Sequence, residues 1–183
     1  MNWTIAGTLD VLPALQHSEL LAPPVAKALP EVDDAEQIGV AAIDPALADT
    51  ANFCAAYSSP VEASANCVVV AGKRGGEVRY AAALVLATTR ADVNSVIRKR
   101  LDVRKASFAP MDEAVQLTGM ESGGITPIGL PAEWPVLLDQ RVAEASELII
   151  GSGVRGSKLL VTGAQMAALP GAEVIADLAR PVA

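Results

Sequence analysis

The chain has 183 residues, a formal net charge of −7 and a hydrophobic fraction of 51%, but only 3% of its residues are aromatic. This length is sufficient for one domain with a sizeable core, and the composition makes that core aliphatic and rich in alanine. No apolar run approaches the roughly 18 residues of a membrane-spanning helix, and the N-terminus lacks the basic region of a signal peptide, so neither feature is expected.

The chain is predicted to begin with an N-terminal helical extension at residues 1–35, in which a short helix ends near Leu15. No motif in this segment carries chemistry. The functional domain is predicted to occupy residues 36–183.

The first elements of the domain are a strand within 38–43 and a helix that Asp44 caps and that continues to about residue 57. A β-branched strand at 67–71 and a second strand at 78–87 are then predicted to form a hairpin, with the five residues Gly72–Gly76 as its connector.

The rest of the domain alternates helices and strands. Thr89 is expected to cap the next helix, which ends near Leu101. The later elements are predicted to be a strand at 103–108, a helix from Pro110 to Gly119, strands near 135–139, 147–151 and 158–162, a helix at 163–168 and a strand at 173–175. Because strands and helices are interspersed and hairpins replace regular crossovers, the pattern favours an α/β fold with a mixed sheet.

Residues 118–130, here called the glycine loop, contain four glycines and one proline within thirteen positions. Such a segment fits neither a helix nor a central strand. It predicts a shaped loop whose backbone N–H groups can converge on a bound oxygen, while a long connector with turn residues is the other interpretation.

Part of this loop, Gly123-Gly124-Ile125-Thr126-Pro127, resembles the glycine-x-x-x-proline loop of the YbaK/EbsC family. These proteins are free-standing relatives of the editing domain inserted in bacterial prolyl-tRNA synthetases. Residues 136–139 and 151–156 fit the same family, and the resemblance covers roughly residues 45–178. It implies an α/β (α+β) fold, with a mixed β-sheet or partly closed barrel surrounded by helices. The implied activity is a free-standing deacylase that hydrolyses the ester of mischarged aminoacyl-tRNA in trans.

The resemblance also implies the site. Gly123, Gly124 and Asn66 are the expected catalytic positions, with the loop as the element that binds the ester and its developing oxyanion through backbone N–H groups. The expected substrate contacts come from six further residues, namely Ile125, Thr126, Pro127, Asp139, Ser152 and Gly153. Asp139 either orients a water molecule or the substrate's ammonium group, or it caps the following helix. Ser152 is expected to line the pocket and not to act as a nucleophile, because no base accompanies it.

Asn66 is a departure from the family pattern. Members usually have a lysine just before the first core strand, and the matching stretch here is Ala65-Asn66-Cys67-Val68-Val69. Asparagine donates hydrogen bonds but carries no charge. Three interpretations stay open: the cation comes from elsewhere, the domain is a catalytically impaired module that binds tRNA or a small ligand, or Asn66 only satisfies a strand end.

Five basic residues lie within eight positions, and they are Arg98, Lys99, Arg100, Arg104 and Lys105. They are candidates for contacts with tRNA phosphates, or else the solvated face and C-terminal end of a helix. The first 64 residues carry a net charge of −8 and the remainder +1, so the motif-bearing region is compatible with an RNA partner.

Other kinds of chemistry are not expected. The single histidine, His17, lies in the extension, and the chain lacks the His and Cys cluster of a zinc site as well as any P-loop or dinucleotide fingerprint. No cofactor and no metal are therefore predicted. Cys54 and Cys67 lack a CxxC spacing, which favours reduced thiols in the cytoplasm, although a disulfide between them is an alternative. Aminoacyl-tRNA is the expected partner, with no DNA and no membrane. The edited amino acid and the oligomeric state are not determined by the sequence.

Overall fold

The computed structural model describes residues 2–182, which form six helices and eleven strands. The strands are β1 (Leu12–Pro13), β2 (Gly39–Ala42), β3 (Ala65–Arg74), β4 (Glu77–Leu86), β5 (Thr89–Ala91), β6 (Ala106–Phe108), β7 (Val136–Asp139), β8 (Leu148–Gly151), β9 (Ser157–Val161), β10 (Ala172–Ile175) and β11 (Ala179–Pro181). The helices are α1 (Pro23–Ala28), α2 (Thr50–Tyr57), α3 (Arg98–Leu101, which continues a π-helical turn Val93–Ile97), α4 (Met111–Thr118), α5 (Gln140–Ala143) and α6 (Gly163–Ala167).

Two sheets form the framework. The larger one is mixed and has the strand order β10-β7-β4-β3-β6, in which β10, β7 and β4 run parallel while β4, β3 and β6 alternate in direction. The smaller one, β1-β2-β9-β8, is antiparallel, and β5 pairs with β11. Over residues 2–182 these sheets do not close into a barrel, and the predicted mixed α/β fold is confirmed.

The main core lies between the two sheets. It contains aliphatic side chains from β9, such as Leu159, and from β7, such as Leu138. Leu137, the neighbour of Leu138, faces the opposite side and joins a second apolar cluster with Ile97 and Leu101 beneath α3. Successive residues of a strand point to opposite faces, so β7 is buried on both of them.

The β3–β4 hairpin positions one wall of the site. Its strands pair without interruption from Ala65 with Leu86 to Arg74 with Glu77. The connector is the two-residue turn Gly75-Gly76, with φ of +57° and +82°, and not the predicted five residues. Positive φ at both central positions matches the right-handed twist of the strands. Because the connector has only two residues, Gly72 stays in the ladder and pairs with Arg79.

Residues 2–35 pack against the rest of the chain. β1 pairs with β2, and Leu21, Val25 and Leu29 are buried in the main core. The helix predicted to end near Leu15 is wrong, because Pro13 lies in a strand and only two short 3-10 turns lie between it and α1. The assignment of residues 1–35 and 36–183 to separate parts stays a prediction.

Two predicted helix starts are also wrong. Asp44 caps only a 3-10 turn, while Asp49 caps α2 by accepting from the Asn52 N–H. Asp92, and not Thr89, caps the helix that ends at Leu101, because Thr89 is paired in β5. None of the helices in residues 2–182 is long and apolar enough to cross a membrane.

Candidate active site

A cavity of about 420 Å³ opens between the start of β3, the glycine loop and the β8–β9 hairpin. This volume is typical of a small-molecule site. The wall residues on which its chemistry depends are Asn66, Cys67, Phe108, Gly123, Ile125 and Lys158.

The glycine loop is docked on the turn that joins β8 to β9, residues 152–156. The Glu121 N–H donates to the Gly153 carbonyl at 2.8 Å, and the Gly153 N–H donates to the Gly124 carbonyl at 2.7 Å. Arg155 adds two contacts, because its N–H donates to the Glu121 carboxylate at 2.8 Å and its Nη1 to the Ser122 carbonyl at 3.2 Å. Two of the segments that carried the family resemblance therefore hold each other in place.

Glycine is required at two positions of this contact because the backbones approach closely. A Cβ at Gly124 would lie 2.7 Å from the carbonyl of Val154, and a Cβ at Gly151 would lie 2.6 Å from the carbonyl oxygen of Gly124. Gly124, Thr126 and Pro127 are buried, so this part of the loop is a packed layer and not the surface segment that its composition suggests.

Two residues of the loop that line the cavity have backbone donors that are unpaired within the described chain. Among residues 2–182, the N–H groups of Gly123 and Ile125 find no acceptor, and both residues line the cavity. The Gly124 N–H donates to the Glu121 carbonyl at 3.0 Å and is therefore occupied. An oxygen of a bound ester would satisfy the two free donors.

Asn66 lies on the cavity wall at the start of β3 and is exposed. Its Oδ1 accepts from the Thr50 Oγ1 at 2.9 Å. The Asn66 amide nitrogen has no acceptor among the described residues, so both of its N–H donors are available to a ligand.

Lys158 is the single charged residue in the described cavity wall. It lies in β9, is only 8% exposed, and its Nζ donates to the Ala48 carbonyl at 3.1 Å. The same nitrogen lies 5.3 Å from the centroid of the Phe53 ring, which is within the range of a cation–π contact. Burial lowers the pKa of Lys158 below its ordinary value, since removal from water disfavours the charged form.

The thiol in the cavity wall is unreactive. Cys67 is free, and burial raises its pKa to about 12, so it stays protonated near neutral pH. Cys54 is also free, and its Sγ lies 3.5 Å from the Ser64 Oγ. The site therefore has no thiolate nucleophile.

Several expected substrate contacts lie outside the cavity wall. Asp139 caps α5 through the Arg141 N–H, forms an ion pair with Arg141 and accepts from the Ala179 N–H at 2.9 Å. Ser152 is fully buried and bonds to Ser157 and to backbone carbonyls. These contacts give both side chains structural roles.

The other three expected contacts lie in the loop and the turn. Thr126 and Pro127 are buried behind Ile125, and the Thr126 Oγ1 has no hydrogen-bond partner in residues 2–182. Gly153 faces α1, where a Cβ would lie 2.9 Å from a methyl group of Val25. Of the predicted substrate-binding residues, the structure places Ile125 at the cavity.

The basic cluster divides into two groups. Arg98 donates to carbonyls of its own helix region, and Arg100 forms a bidentate ion pair with Glu173. Lys99, Arg104 and Lys105 are exposed and form no ion pair with another described residue. Lys105 lies three residues before Phe108, roughly 10 Å along an extended strand, so this group leads towards the cavity mouth.

Three residues of the site, Phe108, Met111 and Lys158, were not predicted from the sequence. Phe108 and Met111 are 57% and 54% exposed at the mouth, although large apolar side chains are usually buried. Lys158 had a visible signal, because it is a charged residue directly before the apolar run 159–161 of a predicted strand. Among the described residues, no three His, Cys, Asp or Glu side chains lie close enough together to hold a metal ion.

Comparisons with solved structures agree with this fold. A protein proposed to be a trans-editing enzyme for prolyl tRNA synthetase is 22% identical over 85% of this chain and 94% of its own, with a TM-score of 0.71. A protein from a study of epitope backbone grafting onto scaffolds is 21% identical over 85% and 95%, also with 0.71. The hypothetical protein APE2540 is 21% identical over 73% and 85%, with 0.64. At this level of identity the likeness shows a shared fold.

Family membership follows from the sequence. No curated protein matches the chain at a significant level. The family model described as the aminoacyl-tRNA editing domain, however, matches residues 44–169, which is more than half of the chain and includes the cavity wall from Thr50 to Lys158. The chain therefore belongs to the aminoacyl-tRNA editing domain family.

Proposed function

We propose that the protein is a free-standing deacylase that hydrolyses the ester bond of mischarged aminoacyl-tRNA in trans. The observation that carries this proposal is the presence of two unpaired N–H donors, at Gly123 and Ile125, in the wall of a cavity whose thiol is protonated and whose described lining has no histidine or carboxylate. Such a site suits an ester, which is already activated and needs a positioned water molecule and a stabilised oxyanion.

In this mechanism a water oxygen attacks the ester carbonyl carbon. The carbonyl oxygen gains the negative charge and is held by the N–H groups of Gly123 and Ile125. Collapse of the tetrahedral intermediate breaks the bond to the ribose oxygen, which takes up a proton and leaves as a hydroxyl. The neighbouring ribose hydroxyl assists the proton transfer, since no histidine or carboxylate lines the described cavity wall.

The remaining site residues act around this centre. Gly124 supports the oxyanion donors by allowing the loop to pack on Val154, and Asn66 donates a hydrogen bond to a ribose or phosphate oxygen. The exposed ring of Phe108 stacks on the terminal base, because a nucleobase offers a face to an aromatic ring whatever its identity. Arg104 and Lys105 then contact phosphates of the acceptor stem.

Multiple-turnover hydrolysis of a panel of mischarged and correctly charged tRNAs tests the proposal. We expect one or a few mischarged species to be deacylated well above the buffer rate, with correctly charged tRNA spared. A chain that binds aminoacyl-tRNA without accelerating hydrolysis of any member would instead be a binding module of the same fold. This alternative is tested because Asn66 lacks the charge expected at its position.

A further inference from the structure

We propose that Lys158 provides the positive charge of this site and binds an anionic oxygen of the substrate in the cavity. The inference rests on the proposed function, because it assigns a role within the same cavity. It names a further substrate-contacting residue, on a strand of the opposite sheet from Asn66.

The register of the β8–β9 pair positions the lysine beside the glycine loop. Lys158 is directly opposite Gly151, and cross-strand partners in an antiparallel pair project from the same face of the sheet. The glycine loop packs against this face, where the space of the missing Gly151 side chain is taken by the carbonyls of Gly124 and Ile125. Lys158 therefore lines the cavity beside the glycine loop, with its ammonium group held by the Ala48 carbonyl.

The charge of Lys158 is not compensated by the protein. In residues 2–182 no carboxylate forms an ion pair with it, and one of its three N–H donors is used by the Ala48 carbonyl. Cys54 and Asp49 favour the charged form of Lys158, and Arg155 disfavours it. A buried lysine without a partner is costly, and an apolar side chain of the same length would fold more easily at this position. A ligand anion is the partner that such a site lacks.

The wall chemistry defines the kind of group that binds. No carboxylate in the described wall faces the cavity, so a cationic group would meet only the like charge of Lys158. The developing oxyanion of the ester and the phosphate of the terminal nucleotide both have the complementary charge. The two sources are separable, because an oxyanion contact acts on kcat and a ground-state phosphate contact acts on KM.

The central experiment compares Lys158→Met with Lys158→Arg, and Lys73→Met serves as the matched control because Lys73 is an exposed lysine on the distant β3–β4 turn. Two quantities are measured: deacylation of the best tRNA substrate, and binding of AMP relative to adenosine by calorimetry. We expect Lys158→Met to lose roughly 10- to 100-fold in kcat/KM, the range for a hydrogen bond to a charged group. Lys158→Arg should retain part of the activity, and Lys73→Met all of it.

Charge rescue gives a readout that a structural role would not change. Asn66→Lys places a second ammonium group in the same cavity, so in the parent it should lower activity by repulsion. In the Lys158→Met background the same change should restore activity, because the cavity regains one cation. Lys158→Gln repeats the comparison if the methionine variant does not fold.

The outcomes separate the two proposals. If the parent is active, a Lys158→Met variant with unchanged kcat, KM and AMP preference overturns the role of Lys158. If the parent deacylates no substrate, the proposed function fails, and AMP binding then decides the inference alone. A parent that prefers AMP to adenosine through Lys158 supports it. A parent without that preference, or a preference that Lys158→Met retains, overturns it.

Discussion

Two glycine-rich segments of this chain have similar compositions and opposite roles. The β3–β4 turn, with Lys73 and Arg74 before Gly75 and Gly76, projects into solvent, and a Cβ at either glycine would meet no atom within 4 Å. The glycine loop and the 152–156 turn combine glycines with Arg155 and border the cavity at Lys158. Here a Cβ at Gly124 would collide with backbone. In the first segment glycine allows the chain to reverse direction, and in the second it allows two backbones to approach closely.

The basic residues differ in the same way. At the hairpin turn, Arg74 forms an ion pair with Asp102 at the surface, and such pairs contribute little to stability because both ions stay hydrated. At the cavity, Arg155 donates to backbone carbonyls and Lys158 is buried without a carboxylate. A buried, unpaired charge beside free N–H donors indicates a ligand site, whereas a hydrated pair does not.

The largest expected effect comes from breaking the packed segment. Gly124→Val should abolish deacylation and also reduce the free energy of unfolding by about 1–3 kcal/mol, because the new side chain overlaps the Val154 backbone. Urea unfolding and single-turnover deacylation measure the two effects. A variant with parental stability and rate would show that the loop does not depend on this close approach.

The next largest effect concerns the apolar rim of the cavity. Phe108→Ala should weaken binding of uncharged tRNA by about 1–3 kcal/mol, the range for stacking of one base on an aromatic ring, while Phe108→Tyr keeps the ring and should keep the affinity. Filter binding at one fixed salt concentration provides the comparison. Equal affinities for the two variants would show that the Phe108 ring does not stack on a base of the tRNA.

A smaller effect is expected from the two groups of the basic cluster at residues 98–105. Neutralising Arg104 and Lys105 together should weaken tRNA binding and lower the slope of log affinity against log salt by about 1.4–1.8, which corresponds to two lost phosphate contacts. The matched control neutralises Arg98 and Arg100, whose guanidinium groups are occupied by backbone carbonyls and by Glu173, and it should leave that slope unchanged. If both double variants change it equally, the contacts are non-specific.

The pH dependence of the free energy of unfolding should distinguish the buried Lys158 from the exposed Lys73. Its folded-state pKa lies below the ordinary value of 10.5, so between these two values the unfolded chain binds more protons than the folded one. The stability of the parent should therefore rise with pH in that window relative to Lys158→Met, and the two should run parallel at lower pH. Arg155, Asp49 and Cys54 are the ionisable groups that act on this lysine. Lys73→Met, measured by the same denaturant titrations, should remain parallel to the parent throughout.

The smallest effect is expected at the open turn. Gly75→Asn should change the free energy of unfolding by less than about 0.5 kcal/mol, because asparagine tolerates the positive φ of a two-residue turn and its side chain would meet no neighbour. Thermal unfolding beside Gly124→Val provides the sharpest contrast between the two segments. A loss as large as that of Gly124→Val would mean that the two glycine-rich segments do not differ.

Much of the fold could be predicted because the signals are local. Apolar runs predicted β7, β8 and β9, and Pro110 and Gly119 marked both ends of α4. One wrong boundary depended on a pairing partner that is distant in sequence. Asp92 is a better cap than Thr89 because Thr89 is held in a ladder with β11, a strand that the sequence did not reveal. A pairing partner that lies 90 residues away leaves no trace in the local pattern.

The candidate site was predictable only in part for the same reason. The sequence alone identified the glycine loop and the basic cluster, because each is a property of residue types along the chain, and the family resemblance identified the departure at Asn66. The tertiary structure alone decided that Gly124 is packed while Gly123 lines a cavity, that Asp139 is occupied as a cap, and that a lysine of another strand lies beside the loop. Burial and cavity walls arise from segments that are distant in sequence, so Lys158 joins Asn66 in one cavity wall only once the β8–β9 hairpin is placed near the start of β3.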